Sequence, residues 1–368
     1  MKKILSLIMA AVLILSSVLF AFASDGMYLN VSELVPPNTG KDVSADIQKI
    51  IDENPNRALA FADGEYLISK PILTPAAPEK SVSLHLSDFA VFKATGDWAK
   101  GEAIIQLGGK NPANNTSKPG SNYSFEGGII DGSGVADGIS INSGRETMIR
   151  NVSIKNTVCG IHILYGANSG SSDADISGIN IIGTGTTESV GILVEGFDNT
   201  FTNIRIGNVF TGVHLKSAGN MLRNIHPLYY SDYTDYENSC GFLIESGTNW
   251  FDFCYSDQFG IGFRTTGNNE NVMNDCFCFW YSDRGTVHTA FKADKKFRSV
   301  LTNFRADFPD KVENYYVSIG NLGGNGTIIN PIVDTGRLSS HSYLMYDDDA
   351  FLVVKFFGFI TWLFEKIF

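Results

Sequence analysis

The chain has 368 residues, with 28 Lys and Arg against 39 Asp and Glu, and a formal charge of −11. Hydrophobic residues make up 43% and charged residues only 18%. That is apolar surface enough for a large core, and it excludes disorder as the state of the whole chain. The acidic balance excludes nucleic acid as a main partner, because phosphate binding needs a cationic face. The counts of 37 Gly, 26 Phe and 14 Tyr point to a β-rich chain with many turns.

Residues 1–23 read as a secretory signal peptide. Lys2 and Lys3 precede an apolar run over 4–20, and Ala21-Phe22-Ala23 supplies small residues where a signal peptidase reads. The expected location is therefore secreted. Residues 24–122 are expected to form an N-terminal cap and the first coils, and residues 123–336 the main body.

That body carries an internal repeat. Gly, a β-branched or aromatic residue, any residue and an apolar residue recur from Gly138, Gly160, Gly191, Gly212, Gly241 and Gly262, with a degenerate copy at Ala290. The steps are 22, 31, 21, 29, 21 and 28 residues. Between the copies runs a second series, with Asn151, Asn203, Asn224, Asp275 and Asn303 each following an apolar residue by two places. Each copy holds two or three short strands and is too short for a strand–helix–strand unit. Copies stacked coil on coil give parallel strands about 4.8 Å apart around a continuous apolar interior. The Asn falls where the chain must bend, because Asn tolerates left-handed φ/ψ and its amide can bond the next coil. The expected fold is all-β: a right-handed parallel β-helix.

Specific stretches sharpen this. Asp46-Ile47-Gln48-Lys49-Ile50-Ile51 resembles a helix that plugs a first coil. Residues 61–68 (FADGEYLI) resemble an opening FPxGxYxI strand, and Gly128-Ile129-Ile130-Asp131-Gly132 resembles a GxIDG strand. Together they make residues 40–336 similar to the pectate-lyase superfamily, in its glycoside-hydrolase-28-related branch. The resemblance implies a pectin-lyase-like solenoid with a short N-terminal capping helix. Polygalacturonase-type members carry Asn-Thr-Asp, a paired Asp-Asp, Gly-His-Gly and Arg-Ile-Lys. Here the first place reads Asn156-Thr157-Val158 and the second Glu188-Ser189-Val190, and the last two signatures are absent. The family's acid pair does not carry over.

The repeat register points to a second place for chemistry. From the corner position to the next repeat Gly the gap is 9 residues in the coils starting at Asn151, Asn203 and Phe253. It is 13, 17 and 15 in those starting at Gly178, Asn224 and Asp275. The surplus must leave the solenoid as loops. Loops 228–240 and 279–289 are expected to wall a cleft over the short coil at 253–262. Tyr230, Asp232, Asp235, Tyr236 and Glu237 would line one wall and Trp280, Tyr281, Asp283, Arg284 and His288 the other. Tyr255 and Asp257 would face outward from the floor, with Arg264 the nearest cation by register. Aromatic faces and carboxylates suit a sugar.

The expected substrate is an extracellular polysaccharide, cleaved by a hydrolase or a lyase; a non-catalytic glycan-binding or adhesive surface protein is the alternative. Asp257, Asp283 and Asp232 are the candidate catalytic acids. No cofactor is expected, save Ca²⁺ on Asp232, Asp235 and Glu237 if the reaction is an elimination. The five cysteines are expected to be buried thiols, with a Cys254–Cys276 disulfide left open. Residues 337–368 read as an acidic linker and an amphipathic helix. Its polar stripe of Lys355, Gly358, Thr361, Glu365 and Lys366 favours attachment to a membrane or cell surface; a tail docked on the end of the main domain, or a membrane span, is the alternative.

Overall fold

A computed structural model of the chain describes residues 28–76, 78–109, 123–165, 171–230, 235–282, 284–321, 323–339 and 342. The expected signal peptide and amphipathic tail lie outside these residues, as do Asp232 and Asp283. No described helix is long and apolar enough to cross a membrane.

The described strands join into one sheet of 20 and one of 10, and the repeat coils pair in parallel. This is a right-handed parallel β-helix. One full coil comprises Met221–Leu228, which turns a corner at Asn224, and Cys240–Ile244 on the smaller sheet. The next comprises Trp250–Asp252, Tyr255–Asp257 and Ile261–Thr265.

Alternation decides the core. In the smaller sheet Ile139, Ile161, Ile192, Val213, Phe242, Phe263 and Phe291 stack inward through seven coils, each at most 1% exposed. Phe242 and Phe263 lie ring on ring at 4.4 Å. All five cysteines are buried and free; Cys254 and Cys276 point inward as the register required, without a bond between them. The helix Ser44–Glu53 closes the first coil, burying Ile47, Ile50 and Ile51. Gln48 fixes it, accepting from Leu73 N at 2.8 Å and donating to Leu73 O at 3.0 Å.

The corner Asn series adopts the left-handed conformation expected, with φ between 50° and 56° at Asn151, Asn203, Asn224, Asp275 and Asn303. Asn224 donates to Asn203 at 2.8 Å, and Asn303 to Asp275 at 2.9 Å. A second ladder, not anticipated from the sequence, lies inside the opposite corner. Asn199, Asn220, Asn249 and Asn271 are at most 1% exposed, and each side chain amide donates to the next carbonyl at 2.9, 3.1 and 3.2 Å.

Candidate functional site

The described residues of the two long loops do not stand apart as walls. Tyr236, Trp280 and His288 are 6%, 3% and 0% exposed, so they are packing rather than lining. Trp280 stacks on His288 at 5.1 Å and on Phe308 at 4.9 Å, and its indole N–H donates to Phe259 O at 2.6 Å. Tyr236 meets Tyr229 and His288 edge on, and the Arg284 guanidinium lies 5.7 and 5.9 Å from the Tyr229 and Tyr236 rings. Glu237 accepts from the Thr286 amide at 3.0 Å and from its hydroxyl, which ties one loop to the other. The physical reason is ordinary burial: aromatic faces on adjacent coils find each other before they find a ligand. Glu237 is thereby committed, and Asp235 accepts from Asn238 at 2.6 Å. Among the described residues no three acids, His or Cys converge to hold a metal; Asp232, the third member of the expected calcium cluster, lies outside the described residues. Arg264 is also misplaced by the register argument. It sits on the smaller sheet, where Asp294 binds it at 2.8–3.1 Å.

The outward face beside these loops is better furnished. Strand pairing places Asn180, Arg205 and His226 in one outward column, and Tyr255 follows, its ring stacked on the His226 imidazole at 4.2 Å. Phe277 continues the stack at 4.8 Å, and Arg305 lies 4.8 Å from the Phe277 ring. The neighbouring column reads Ile182, Gly207, Leu228, Asp257, Phe279 and Asp307. Tyr255 and Asp257 thus face outward as expected.

His226 Nε2 lies 3.5 Å from Asp257 Oδ2. Both His226 Nε2 and Asp257 Oδ1 are buried and make no hydrogen bond. Burial, with the Asp257 charge beside it, pushes the Tyr255 phenol well above its ordinary value, so the phenol keeps its proton at neutral pH. Over the other end of the column opens a cavity of about 160 Å³, lined by Asn180, Ile182, Arg205, Gly207, His226, Leu228 and Tyr230. Gly207 supplies its floor: a Cβ there would sit 2.9 Å from the Tyr230 ring and 3.2 Å from Ile182 Cδ1. Tyr230 therefore does line a site, though not the one between the loops. Tyr281 is 71% exposed at the far end of the aromatic run.

Charge is the other signal. Lys155, Arg150, Arg223 and Arg305 on these strands each pair with an aspartate at 2.5–3.7 Å. Arg205 is exposed and makes no ion pair among the described residues. By the repeat register Arg205 and His226 are expected to stack on adjacent coils, either as a ladder supporting the cleft or as plain surface. The signal that would have promoted them is the lack of an acid at either neighbouring position of the column, Asn180 and Tyr255.

The solved structures most like this fold include the tailspike protein of E. coli bacteriophage HK620, in a double mutant, with TM-score 0.61 and 10% identity over 81% of this chain and 63% of that one. An endo-xylogalacturonan hydrolase from Aspergillus tubingensis matches with TM-score 0.59 and 12% identity, over 85% and 94%. An alginate lyase from a Paenibacillus species matches with TM-score 0.55 and 14% identity, over 77% and 97%. The chain spans less than two thirds of that tailspike's length. These likenesses establish a pectin-lyase-like right-handed parallel β-helix. No protein-family model matches the sequence, and no curated protein is recognisably similar to it.

Proposed function

We propose that the protein binds and cleaves an acidic, uronate-containing polysaccharide on the outward face formed by Asn180, Arg205, His226, Tyr255 and Asp257. One observation carries the reading. On a protein of charge −11, Arg205 has no ion-pair partner among the described residues and stands beside a His–Asp pair at the mouth of a small cavity. A guanidinium flanked by an amide is the donor set that holds a carboxylate. The similar structures include an alginate lyase and an endo-xylogalacturonan hydrolase, which supports a glycan as the ligand.

Elimination fits these residues best. Arg205 and Asn180 bind the uronate carboxylate and stabilise the charge that spreads onto it when the adjacent C5 proton leaves. His226 takes that proton at Nδ1, while Asp257 faces Nε2 and stabilises the imidazolium that forms. The C4–O bond breaks, a C4–C5 double bond forms, and the Tyr255 hydroxyl gives its proton to the departing oxygen. Hydrolysis has one observation in its favour. Asp257 and Asp307 lie two rungs apart in the same column, about 9.6 Å by strand spacing, near the separation of an inverting pair. Arg305, however, holds Asp307 with two hydrogen bonds, at 2.7 and 3.1 Å.

The reaction takes place outside the cytoplasmic membrane if residues 1–23 are removed as a signal peptide, and residues 351–368 would hold the protein at a surface. The test is turnover of polygalacturonate, alginate and a neutral glucan, followed by ultraviolet absorbance and new reducing ends. Both signals on an acidic polymer are expected. Reducing ends alone would replace elimination by hydrolysis, and binding without either signal would leave a glycan-binding protein. Activity confined to the neutral glucan would overturn the proposal.

A further inference from the structure

The corner next to this face breaks its own rule at one position. Of the six corner residues from Asn203 to Asn330, four are Asn and one is Asp, all in the left-handed region. The remaining one is Phe253, with φ +52°, and it is 54% exposed. A bulky residue gains nothing from that backbone region and has no amide to bond its neighbours. The amide ladder accordingly stops on both sides of it: Asn224 donates back to Asn203, and the links resume only from Asn303 to Asp275 and from Asn330 to Asn303. The ring has no aromatic neighbour among the described residues. It borders a groove of about 480 Å³ lined by Thr202, Asn203, Arg223 and Asn224.

An exposed ring held in a costly conformation, beside two amides and a guanidinium, is a donor set for a pyranose carrying a carboxylate. We propose that the Phe253 corner is a second sugar-binding subsite for the same acidic polymer, which would run from the Arg205–His226 face around the bend. This rests on the reading of that face as a uronate site. The two are contiguous in the chain: Asn224 lies two residues before His226, and Phe253 two before Tyr255, about 7 Å along a strand. The neighbouring sugar of a bound chain falls there. Arg223, shared with Asp252 at 3.4 Å, is the cation placed to meet its carboxylate.

The test compares wild type with Phe253→Asn, Phe253→Ala and Phe253→Tyr, titrated with oligogalacturonates and oligoalginates of increasing length. Phe253→Asn separates structure from function, because Asn suits the left-handed backbone and can extend the amide ladder. The expected result is a higher or equal Tm for Phe253→Asn. Its affinity should fall about tenfold for the longer oligomers and progressively less as they shorten. Phe253→Ala should lose affinity likewise, and Phe253→Tyr should keep it. If wild type binds the long oligomers and Phe253→Asn binds them equally well, the corner is only a corner. If wild type binds none of them, the uronate reading of the His226 face fails first and the subsite with it.

Discussion

His226 and Asp257 sit 3.5 Å apart, with Tyr255 stacked against the imidazole, and each leaves one buried polar atom unsatisfied. Leaving such atoms without partners costs stability, and on the proposed function that cost would be recovered when a substrate arrives with the matching groups. Replacing His226 by Ala should therefore lower kcat on the active polymer by about a hundredfold or more, the usual scale of a proton-transfer residue. Arg205→Ala should both raise KM and lower kcat, each about tenfold, because the carboxylate contact binds the ground state and strengthens as the C5 proton leaves; the fold should stay intact, since Arg205 makes no ion pair within the described chain. Steady-state kinetics on the same polymer, with Tm as the control for folding, checks both. At this scale the sequence was informative only in part. Alternation from the inward Cys254 placed Tyr255 and Asp257 outward correctly. It did not tell a tyrosine that meets a sugar from one that meets a neighbouring ring, so Tyr236 and Trp280 were assigned to a cleft they in fact fill. Asp232 and Asp283, the other two candidate acids, lie outside the described residues.

The corners are where the coils are held in register. Asn220 accepts from the amides of Asn199 and donates to Asn249 and to Ser217, all within the interior. Asn220→Ala would leave buried partners on two coils unsatisfied, and a loss of about 2–4 kcal/mol in unfolding free energy by urea titration is the expected outcome. The outer Asn series was legible because it falls between strands, where a turn residue is sought. The inner one recurs just as regularly but precedes an apolar strand, where Asn looks like an ordinary strand boundary.

A second test at the level of one element concerns Asp137, at the start of the strand Asp137–Ile141. Burial pushes its carboxyl up to about 6, against the pull of the hydrogen bond it accepts from the Cys159 amide at 2.9 Å. The folded state therefore holds a proton between pH 4 and 6 that the unfolded chain has released, so stability falls as pH rises through that window. Asp137→Asn should flatten this slope and, at pH 7, remove a penalty on the order of 3 kcal/mol. Equal slopes for wild type and variant in urea titrations at pH 4.5 and 7 would show that the carboxyl is not the cause.

Across the whole molecule the acidic charge and the basic site work against each other. A net −11 would repel the proposed acidic polymer at long range, while Arg205 and Arg223, beside the two cavities, would attract it locally. Raising salt screens both, and because the contacts are exposed the loss of the local attraction should dominate. Affinity for alginate or polygalacturonate should drop several-fold between low and high ionic strength while Tm barely moves, as binding titrations across a salt series would show. The solenoid itself was readable from sequence because a stack of near-identical coils repeats its pattern until it cannot be mistaken. The place where those coils differ from one another is the place where repetition gives no help.

Gly207 shows what that difference consists of. Every coil offers its outer face to solvent at the same spacing, so a flat, fully furnished wall is the default of this architecture. Removing one side chain from one step, between Ile182 and Leu228, turns the wall into a socket and lets the Tyr230 ring swing in as its lip. Selectivity in such a scaffold then depends on subtraction: the guest is defined by the atoms that position 207 withholds. A single methyl group restored there would close the door without disturbing a strand.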